Sequence, residues 1–404
     1  MKKRINDKII LAYTLKNAIE HEGKAQPNSV LNSLFHEGLE KSKIKQVMPK
    51  IQETVKKVNS MPLEQQEQKF KNQEKQVDKR KGRVGLAPLP GAKKGKVIMR
   101  FSPSPSGPLH IGHALTASIS FLYVQKYGGK FYVQIEDTNP ENIYKPAYKM
   151  IEEESKWLFK NKAKIIIQSE RMALYYKYIG TLIKKQAIYV CTCQQEEFKN
   201  FIEKQENCHC RKNTIKENLQ RWKKMLDKST SGFKEGEAVV RFKSGMQNKN
   251  PAFRDFPLAR INLTEHPLQR KKYRVWPLMN LAVAVDDIEL KKTHIIRAKE
   301  HRDNAERQKM IFKALGKKYP WAAYLGRLHF KDLHLSTTQM RKDIEAGKYK
   351  GWDDLRLPTI ASLKKQGYKP EAFWKFSEQV GLSETDKVMS KEEYFKLLNS
   401  FNKR

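Results

Sequence analysis

The stretch that decides the fold of this chain reads Pro103-Ser104-Pro105-Ser106-Gly107-Pro108-Leu109-His110-Ile111-Gly112-His113. It follows the short apolar run Val97 to Phe101, which has the composition of a β-strand. Its proline and glycine residues predict a turn, and Ala114 to Val124 then has the composition of a helix. The stretch therefore predicts a strand, a tight turn and a helix in direct succession.

Two histidines flank a glycine at the start of this helix. Gly112 has no Cβ, so the first helical turn can lie flat against an adenine ring. The free N–H groups and positive dipole end of the helix suit an anion. His110 and His113 are expected to donate hydrogen bonds to phosphate oxygens while pyrophosphate is displaced. Pro103 to His113 therefore predicts an ATP site. The alternative is that both are ordinary surface or core histidines. The strand, turn and helix that surround them argue against this alternative.

The composition indicates a polyanionic partner. The chain has 404 residues, enough for two or three domains, and its 80 Lys+Arg against 44 Asp+Glu give a formal charge of +36. Nucleic acid is the expected partner, and general lysine enrichment is the alternative explanation. The sequence has no apolar run of membrane-spanning length and no signal peptide pattern, so a cytosolic location is expected.

Periodicity and composition divide the chain into regions. Apolar residues at helical spacing over Ile5 to Ile19 and Ile44 to Val58 predict a helical module at residues 1–64. A charged linker is expected at 65–95, because Gln65 to Arg83 is almost wholly charged or amide and predicts a solvated helix or disorder. An α/β domain is predicted at 96–327, and a basic helical region at 328–404.

Strand-like runs alternate with helical segments in the third region, which predicts a mostly parallel sheet. The predicted strands are Phe131 to Ile135, Lys164 to Ile167, Ala238 to Phe242, Leu281 to Val285 and Thr293 to Arg297. The predicted helices include Pro146 to Phe159 and Arg171 to Lys185.

All the cysteines lie close together, as Cys191-Thr192-Cys193 and Cys208-His209-Cys210. In a cytosolic protein such pairs favour a tetrahedral thiolate zinc site over disulfides. His209 can replace one of the four thiolates. Four protein ligands leave no open coordination position, so the zinc would be structural. The alternative is four reduced thiols without a metal.

Further motifs follow in order along the chain. They are Gly128 to Phe131, Ile135 to Pro140, Gln168 to Met172, Gly236 to Arg241, Tyr273 to Asn280, Ala284 to Asp287 and Gly351 to Thr359. With His110 to His113, these segments resemble class I aminoacyl-tRNA synthetases, specifically archaeal-type glutamyl-tRNA synthetases. The helical module resembles the N-terminal extension of archaeal members. The resemblance implies a Rossmann-type catalytic domain with an acceptor-binding insertion at about 186–240.

The resemblance also implies substrates and roles. Glutamate attacks the α-phosphorus of ATP, supplied with Mg²⁺, and the glutamyl group of the adenylate then passes to the terminal ribose of tRNA. Arg100 and Arg297 are implied at the glutamate side-chain carboxylate, and Ser102 and Glu136 at its α-amino end. Both arginines end predicted parallel strands, where such folds bind ligands, and a guanidinium fork matches a carboxylate. The alternative for each residue is a surface ion pair or cap.

The second nucleotide signature of the family is imperfect here. It reads Leu335-Ser336-Thr337-Thr338-Gln339-Met340-Arg341, and the resemblance implies ATP contacts for Ser336, Thr337, Met340 and Arg341. The position of the family lysine holds Gln339. A cation there would stabilise charge that develops on the phosphates, so a slower rate is expected unless Arg341 or Lys342 takes the role.

Archaeal relatives continue past the region matching Glu392 to Asn402 into anticodon-binding β-barrels. The resemblance therefore predicts that residues 1–404 lack these barrels, and a separate anticodon-binding subunit is a possible partner.

Two other functions stay open. One is a truncated paralogue that glutamylates another acceptor, which the N-terminal module disfavours. The other is a tRNA-binding accessory protein without activity, which only Gln339 favours. Whether glutamine tRNA is charged as well stays open.

Overall fold

The computed structural model describes residues 5–77 and 85–402, which form two compact units. The N-terminal unit is helical, and its helices are α1 Asp7–Glu20, α2 Pro27–His36, α3 Ile44–Asn59 and α4 Leu63–Gln73. The side chain of Asn6 caps α1 by accepting a hydrogen bond from the Ile9 N–H at 3.0 Å. α1 and α3 bury apolar residues at helical spacing, so both helices predicted for this part are confirmed.

The charged segment after residue 64 is less solvated than its composition suggests. Gln66 of α4 is completely buried, and its amide Nε2 donates to the carbonyls of Gly23, Val58 and Met61 at 2.9–3.0 Å. The prediction of a solvated segment is wrong at this residue, because three backbone carbonyls take the place of water as hydrogen-bond acceptors for its side-chain amide. Residues 78–84 of the predicted linker lie outside the described residues.

The C-terminal unit is an α/β body with helical additions. Its first half contains β1 Val97–Phe101, α5 Ile111–Tyr127, β2 Gly129–Ile135, α6 Ala147–Leu158, β3 Ala163–Ile167, α7 Met172–Lys184, β4 Ile188–Cys191, α8 Gln195–Lys204, α9 Ile215–Leu226 and β5 Val239–Phe242. Its second half contains β6 Pro257–Ile261, β7 Val275–Pro277, α10 Met279–Glu289, β8 His294–Ala298, α11 Arg302–Ala314, β9 Trp321–Leu325, β10 Leu328–Phe330, α12 Thr337–Glu345, α13 Ile360–Lys365, α14 Pro370–Val380, β11 Lys387–Met389 and α15 Lys391–Phe401.

Parallel strands form the centre of this unit. β1, β2 and β3 pair in parallel in that order, and β8 pairs in parallel with β9. The Thr293 N–H, just before β8, donates to the Ile98 carbonyl of β1 at 3.0 Å, which joins the two sets of strands. The α/β class with parallel pairing is thus confirmed, and the carboxyl ends of β1, β2 and β8 lie side by side, where such folds bind ligands.

The strand predicted at Leu281 to Val285 is wrong, because these residues lie inside α10. All five side chains are fully buried, so the helix is apolar on every side at this point. A short continuous apolar run has no period that separates a buried helix from a buried strand. The helical conformation directs the two following aspartates, Asp286 and Asp287, into the interior.

A second sheet, β4-β5-β6-β7, is antiparallel throughout. The strand predicted at Ala238 to Phe242 is confirmed as β5, but it belongs to this sheet, so parallel pairing does not extend to it. α8 and α9 follow β4 in the chain and precede β5.

The last part of the unit packs on the histidine-bearing helix. The rings of Phe121 on α5 and Trp374 on α14 have centroids 5.3 Å apart, within one apolar core that also contains residues of α15. This contact fixes α5 from its outer side. None of the helices in residues 5–77 and 85–402 has the length and apolar character to cross a membrane.

Candidate active site

The two histidines form a defined arrangement at the start of α5. His110 is the N-cap, and its Nδ1 accepts a hydrogen bond from the Gly112 N–H at 3.1 Å. The Nδ1 of His113 lies 3.4 Å from the His110 backbone N–H and accepts from it. The rings stack, with centroids 3.7 Å apart at an interplanar angle of 23°. The imidazoles thus act as a reciprocal cap of the helix.

This hydrogen bonding determines what the imidazoles offer to a ligand. Each Nδ1 accepts, so each ring carries its proton on Nε2 and presents that N–H as a donor. Burial, together with the neighbouring His113, holds the pKa of His110 well below its usual value. Burial also lowers the pKa of His113 to about 4. Both residues are therefore neutral donors near neutral pH.

The protein neighbours of Gly112 leave little room for a side chain. A Cβ at this position would lie 3.0 Å from Cε1 of His110 and 3.2 Å from Cδ1 of Leu335. With a side chain at this position, the His110 ring and the Leu335 side chain would have to shift by a few tenths of an ångström.

The two signature segments, Pro103 to His113 and Leu335 to Arg341, touch each other. The Ser106 Oγ lies 3.3 Å from the Thr337 Oγ1, and a Cβ at Gly107 would lie 3.0 Å from the Cβ of Thr337. Ser336 caps α12 by accepting from the Gln339 N–H at 3.2 Å. The structure thus brings the predicted nucleotide residues of both segments to one place.

Gln339 and Arg341 face different surroundings on α12. The exposed Gln339 side chain donates to Asp343 Oδ1 at 3.1 Å. The Arg341 guanidinium lies 5.5 Å from the ring centre of Tyr144, whose backbone N–H donates to the Pro105 carbonyl at 2.8 Å. Arg341 therefore lies closer to the first signature segment, while Gln339 binds within its own helix.

Arg100 lies at the end of β1 and is 4% exposed. Its Nε and Nη2 donate to the two carboxylate oxygens of Asp287 at 2.6 and 2.9 Å, and its Nη1 donates to the Ser102 Oγ at 2.7 Å. A guanidinium has five N–H donors, so these three bonds fix the fork and leave two donors for a ligand. The sequence did not identify Asp287 as this anchor.

A cavity of about 230 Å³ lies beside Arg100. Its wall includes the other predicted glutamate residues, Ser102, Glu136 and Arg297, together with Gly112 and His113. Arg297 donates from Nη1 to Gln308 at 2.9 Å, and its buried Nε has no hydrogen-bond partner among the described residues. Burial raises the pKa of Glu136 to about 6, against the opposing effect of both arginines. The cavity thus places a carboxylate and two guanidinium groups beside the imidazole of His113, on which the His110 ring stacks.

A larger cavity of about 600 Å³ shares Glu136 and Met279 with the first. Four arginines line it, and they are Arg241, Arg254, Arg260 and Arg307. Ser104 of the first signature also lies in its wall. A strongly cationic cavity of this size suits a phosphate-bearing ligand next to the smaller cavity.

The cysteines converge in a buried cluster. Sγ–Sγ distances are 3.9 Å for Cys191 to Cys208 and 3.9 Å for Cys193 to Cys210. A tetrahedral zinc with Zn–S bonds of about 2.3 Å gives S–S edges of about 3.8 Å, so these thiols could hold zinc. Both ring nitrogens of His209 lie 4.0 Å from the Cys193 Sγ, so His209 remains a candidate zinc ligand.

Comparisons with known proteins agree with this architecture. Residues 96–402 match the family of class I tRNA synthetases (E and Q), catalytic domain. The chain belongs to this family. A glutamate–tRNA ligase of Pyrococcus abyssi is 43% identical over 394 residues, which cover 95% of this chain and 68% of the relative. One of Methanocaldococcus jannaschii is 41% identical over 387 residues, which cover 96% and 69%.

A solved structure of a glutamate tRNA ligase from Elizabethkingia meningosepticum has a TM-score of 0.54 at 21% identity, covering 75% of this chain and 68% of that chain. It shows that this synthetase shares the fold of class I enzymes. The resemblance inferred from the sequence motifs is therefore confirmed.

Sequence reasoning missed several residues of the site. Asp287 anchors Arg100, and Met279 lines both cavities, yet both lie in motifs that were noted only for their resemblance. Glu154 contacts the first signature from α6. Its only signal was an acidic residue at a position where an amphipathic helix should be apolar.

Proposed function

We propose that this synthetase activates glutamate with ATP as glutamyl-adenylate and transfers the glutamyl group to the 3′-terminal ribose of tRNA. The observation that carries this proposal is the wall of the small cavity, in which two arginines and a glutamate lie beside the neutral donor His113, whose ring stacks on that of His110. The enzyme is a glutamate–tRNA ligase, and class I synthetases use ATP with Mg²⁺. The comparisons give no support to the glutamylating paralogue or the inactive accessory protein.

The geometry supports a role for each side of the small cavity. The two free donors of Arg100 and the unpaired Nε of Arg297 match the side-chain carboxylate of glutamate. Ionised Glu136, beside Ser102, suits the α-ammonium group. The substrate's α-carboxylate is then free to attack the α-phosphorus of ATP, forming the P–O bond of the adenylate as pyrophosphate leaves.

The histidines act on charge that appears during this displacement. The Nε2–H groups of His110 and His113 would donate to phosphate oxygens, and their fixed orientation requires no reorganisation during the step. The larger cationic cavity would receive the acceptor end of tRNA, whose ribose hydroxyl attacks the adenylate carbonyl and releases AMP.

Glutamate-dependent ATP–pyrophosphate exchange tests the proposal. We expect exchange with glutamate, and none with aspartate or glutamine, in reactions run with and without total tRNA. Exchange supported equally by all three amino acids, or by none, would contradict the assigned glutamate cavity. Charging of purified glutamate and glutamine tRNAs, with and without added cell extract, then tests the acceptor range and the need for a further subunit.

We propose that Arg341 has the phosphate role that a lysine at position 339 has in relatives. Gln339→Lys should raise kcat several-fold, and Arg341→Ala should lower it by about 10- to 100-fold, since one charge contact to the transition state is gained or lost. Lys342→Ala on the same helix is the matched control and should have little effect. Unchanged turnover in both test variants would show that this segment does not act on the phosphates.

We propose that Cys191, Cys193, Cys208 and Cys210 bind one structural zinc ion. Elemental analysis of protein purified without chelators should give about one zinc per chain. Cys193→Ser should speed hydrogen exchange around Tyr189 to Arg211 while glutamate-dependent exchange persists, because the cluster lies outside the small cavity. Metal-free wild-type protein with the same slow hydrogen exchange would refute this assignment.

A further inference from the structure

A buried carboxyl group contacts the first signature segment from outside both cavities. Glu154 lies on α6 and is 6% exposed. Its Oε2 accepts a hydrogen bond from the Leu109 backbone N–H at 2.6 Å. Its other oxygen, Oε1, makes no hydrogen bond of good geometry among the described residues, although the Ala361 N–H also lies near the carboxyl group. Burying an acidic side chain without a direct ion pair costs free energy of folding. A functional role for Glu154 would account for its presence here.

Leu109 is the residue just before the helix cap, and both of its backbone polar groups are held. Its N–H binds Glu154, and its carbonyl accepts from the Ile360 N–H at 2.9 Å. The Ile111 N–H donates to the Pro358 carbonyl at 3.1 Å, which completes the bridge between His110 and Thr359. The backbone on either side of His110 is therefore fixed by segment 358–360 and by one side chain, that of Glu154.

The contact between Glu154 and Leu109 connects α6 to the imidazoles through the backbone. Leu109 is only 1% exposed, so without Glu154 its N–H would be buried without an acceptor. The backbone can regain a partner only by shifting towards water, and this shift would move the His110 cap. The stacked His113 ring, which accepts from the His110 N–H, would lose its fixed orientation with it.

We propose that Glu154 is a positioning residue for adenylate formation, because its carboxyl group fixes Leu109 and thereby aims both histidine Nε2–H donors. This inference rests on the function proposed above. Burial raises the pKa of Glu154 to about 8, against the opposing effect of the Leu109 and Ala361 N–H groups. The neutral acid that dominates below this pKa resembles a glutamine amide in shape and in its carbonyl acceptor, so glutamine should replace it.

The test compares Glu154→Gln, which keeps the acceptor, with Glu154→Met, which keeps the volume and removes it. A displacement of the order of 1 Å can cost about 100-fold in rate. We therefore expect kcat for glutamate-dependent exchange to fall about 10- to 100-fold in E154M and less than about threefold in E154Q, with the KM for glutamate unchanged in both. Glu152→Met is the control, since Glu152 is half-exposed on the same helix and pairs with Lys156 at 2.6 Å.

¹⁵N NMR of labelled histidine provides a readout independent of activity. Among the ten histidines of the chain, those assigned as His110 and His113 should both show the Nε2–H tautomer in wild type and E154Q, and one of them should show a changed or mixed tautomer in E154M. E154M with wild-type kcat and imidazole signals would overturn the proposal, even if its melting temperature fell. E154Q as impaired as E154M would also overturn it.

Glu154→Asp, whose carboxyl is one methylene shorter, replaces E154M if that variant does not fold. The same loss of kcat is expected, because the shortened side chain no longer reaches the Leu109 N–H. If wild-type enzyme shows no glutamate-dependent exchange, the proposed function fails, and the NMR comparison still decides whether Glu154 positions the histidines.

Discussion

Arg100→Lys should lower kcat/KM for glutamate by about 100- to 1000-fold, because lysine keeps the positive charge but lacks the paired N–H donors of the guanidinium group. In the wild type, two N–H groups of Arg100 bind Asp287 while two others remain for the substrate carboxylate. A lysine ammonium can still pair with Asp287, so the buried aspartate is not left without a cation and the variant should fold. Its single nitrogen cannot hold Asp287 and also present a bidentate edge to the substrate.

The adjacent ion pair offers a matched control for this prediction. Arg171 donates from Nε to Asp286 at 2.7 Å and lies outside the walls of both cavities. Arg171→Lys should change kcat/KM for glutamate by less than about threefold, since it perturbs the neighbouring aspartate without touching a substrate. Steady-state exchange kinetics at varied glutamate check both variants. Equal losses in Arg100→Lys and Arg171→Lys would contradict direct contact between Arg100 and glutamate.

Loss of either histidine should produce the second large effect. His110→Ala and His113→Ala should each lower the rate of adenylate formation by about 10- to 1000-fold with little change in glutamate affinity, because their donors act on charge in the transition state. Single-turnover measurements of pyrophosphate release check this step directly.

His110→Asn separates donation to phosphate from helix capping. Asparagine is a strong N-cap, and its Oδ1 can accept from the Gly112 N–H as the His110 Nδ1 does. Its shorter side chain places no donor where the Nε2–H of histidine lies. We expect His110→Asn to melt near the wild-type temperature and to react as slowly as His110→Ala. Wild-type rates in His110→Asn would show that His110 serves only as a cap.

Local sequence patterns predicted the centre of the fold well. The run Val97 to Phe101, the proline-glycine turn and the following helix appear as predicted, because each carries its own local signal. The fully buried run Leu281 to Val285 carries none, and its helical state follows from packing on all sides. The polarity of Gln66 likewise predicts a solvated side chain, whereas its three carbonyl partners belong to Gly23, Val58 and Met61, which precede α4 in the sequence.

The candidate site shows the same division between local and long-range signals. Gly112 and His113 of the first signature and the four proposed glutamate contacts line one cavity, where strand ends and a helix start converge in a parallel sheet. The orientation of Arg100 was not predictable, since it depends on Asp287, a residue 187 positions away that the sequence offered only as part of a family motif. The direction of Gln339 depends on Asp343 one helical turn later, which becomes visible only once α12 is known to be a helix.

An unmodified transcript of glutamate tRNA tests most directly whether this enzyme esterifies glutamate to the terminal ribose of tRNA. Labelled glutamate and ATP are supplied with either the intact transcript or one whose terminal diol has been oxidised with periodate. We predict incorporation of glutamate into the intact transcript and none into the oxidised one. Equal incorporation into both, or activation of glutamate without any transfer to the intact transcript, would contradict the account.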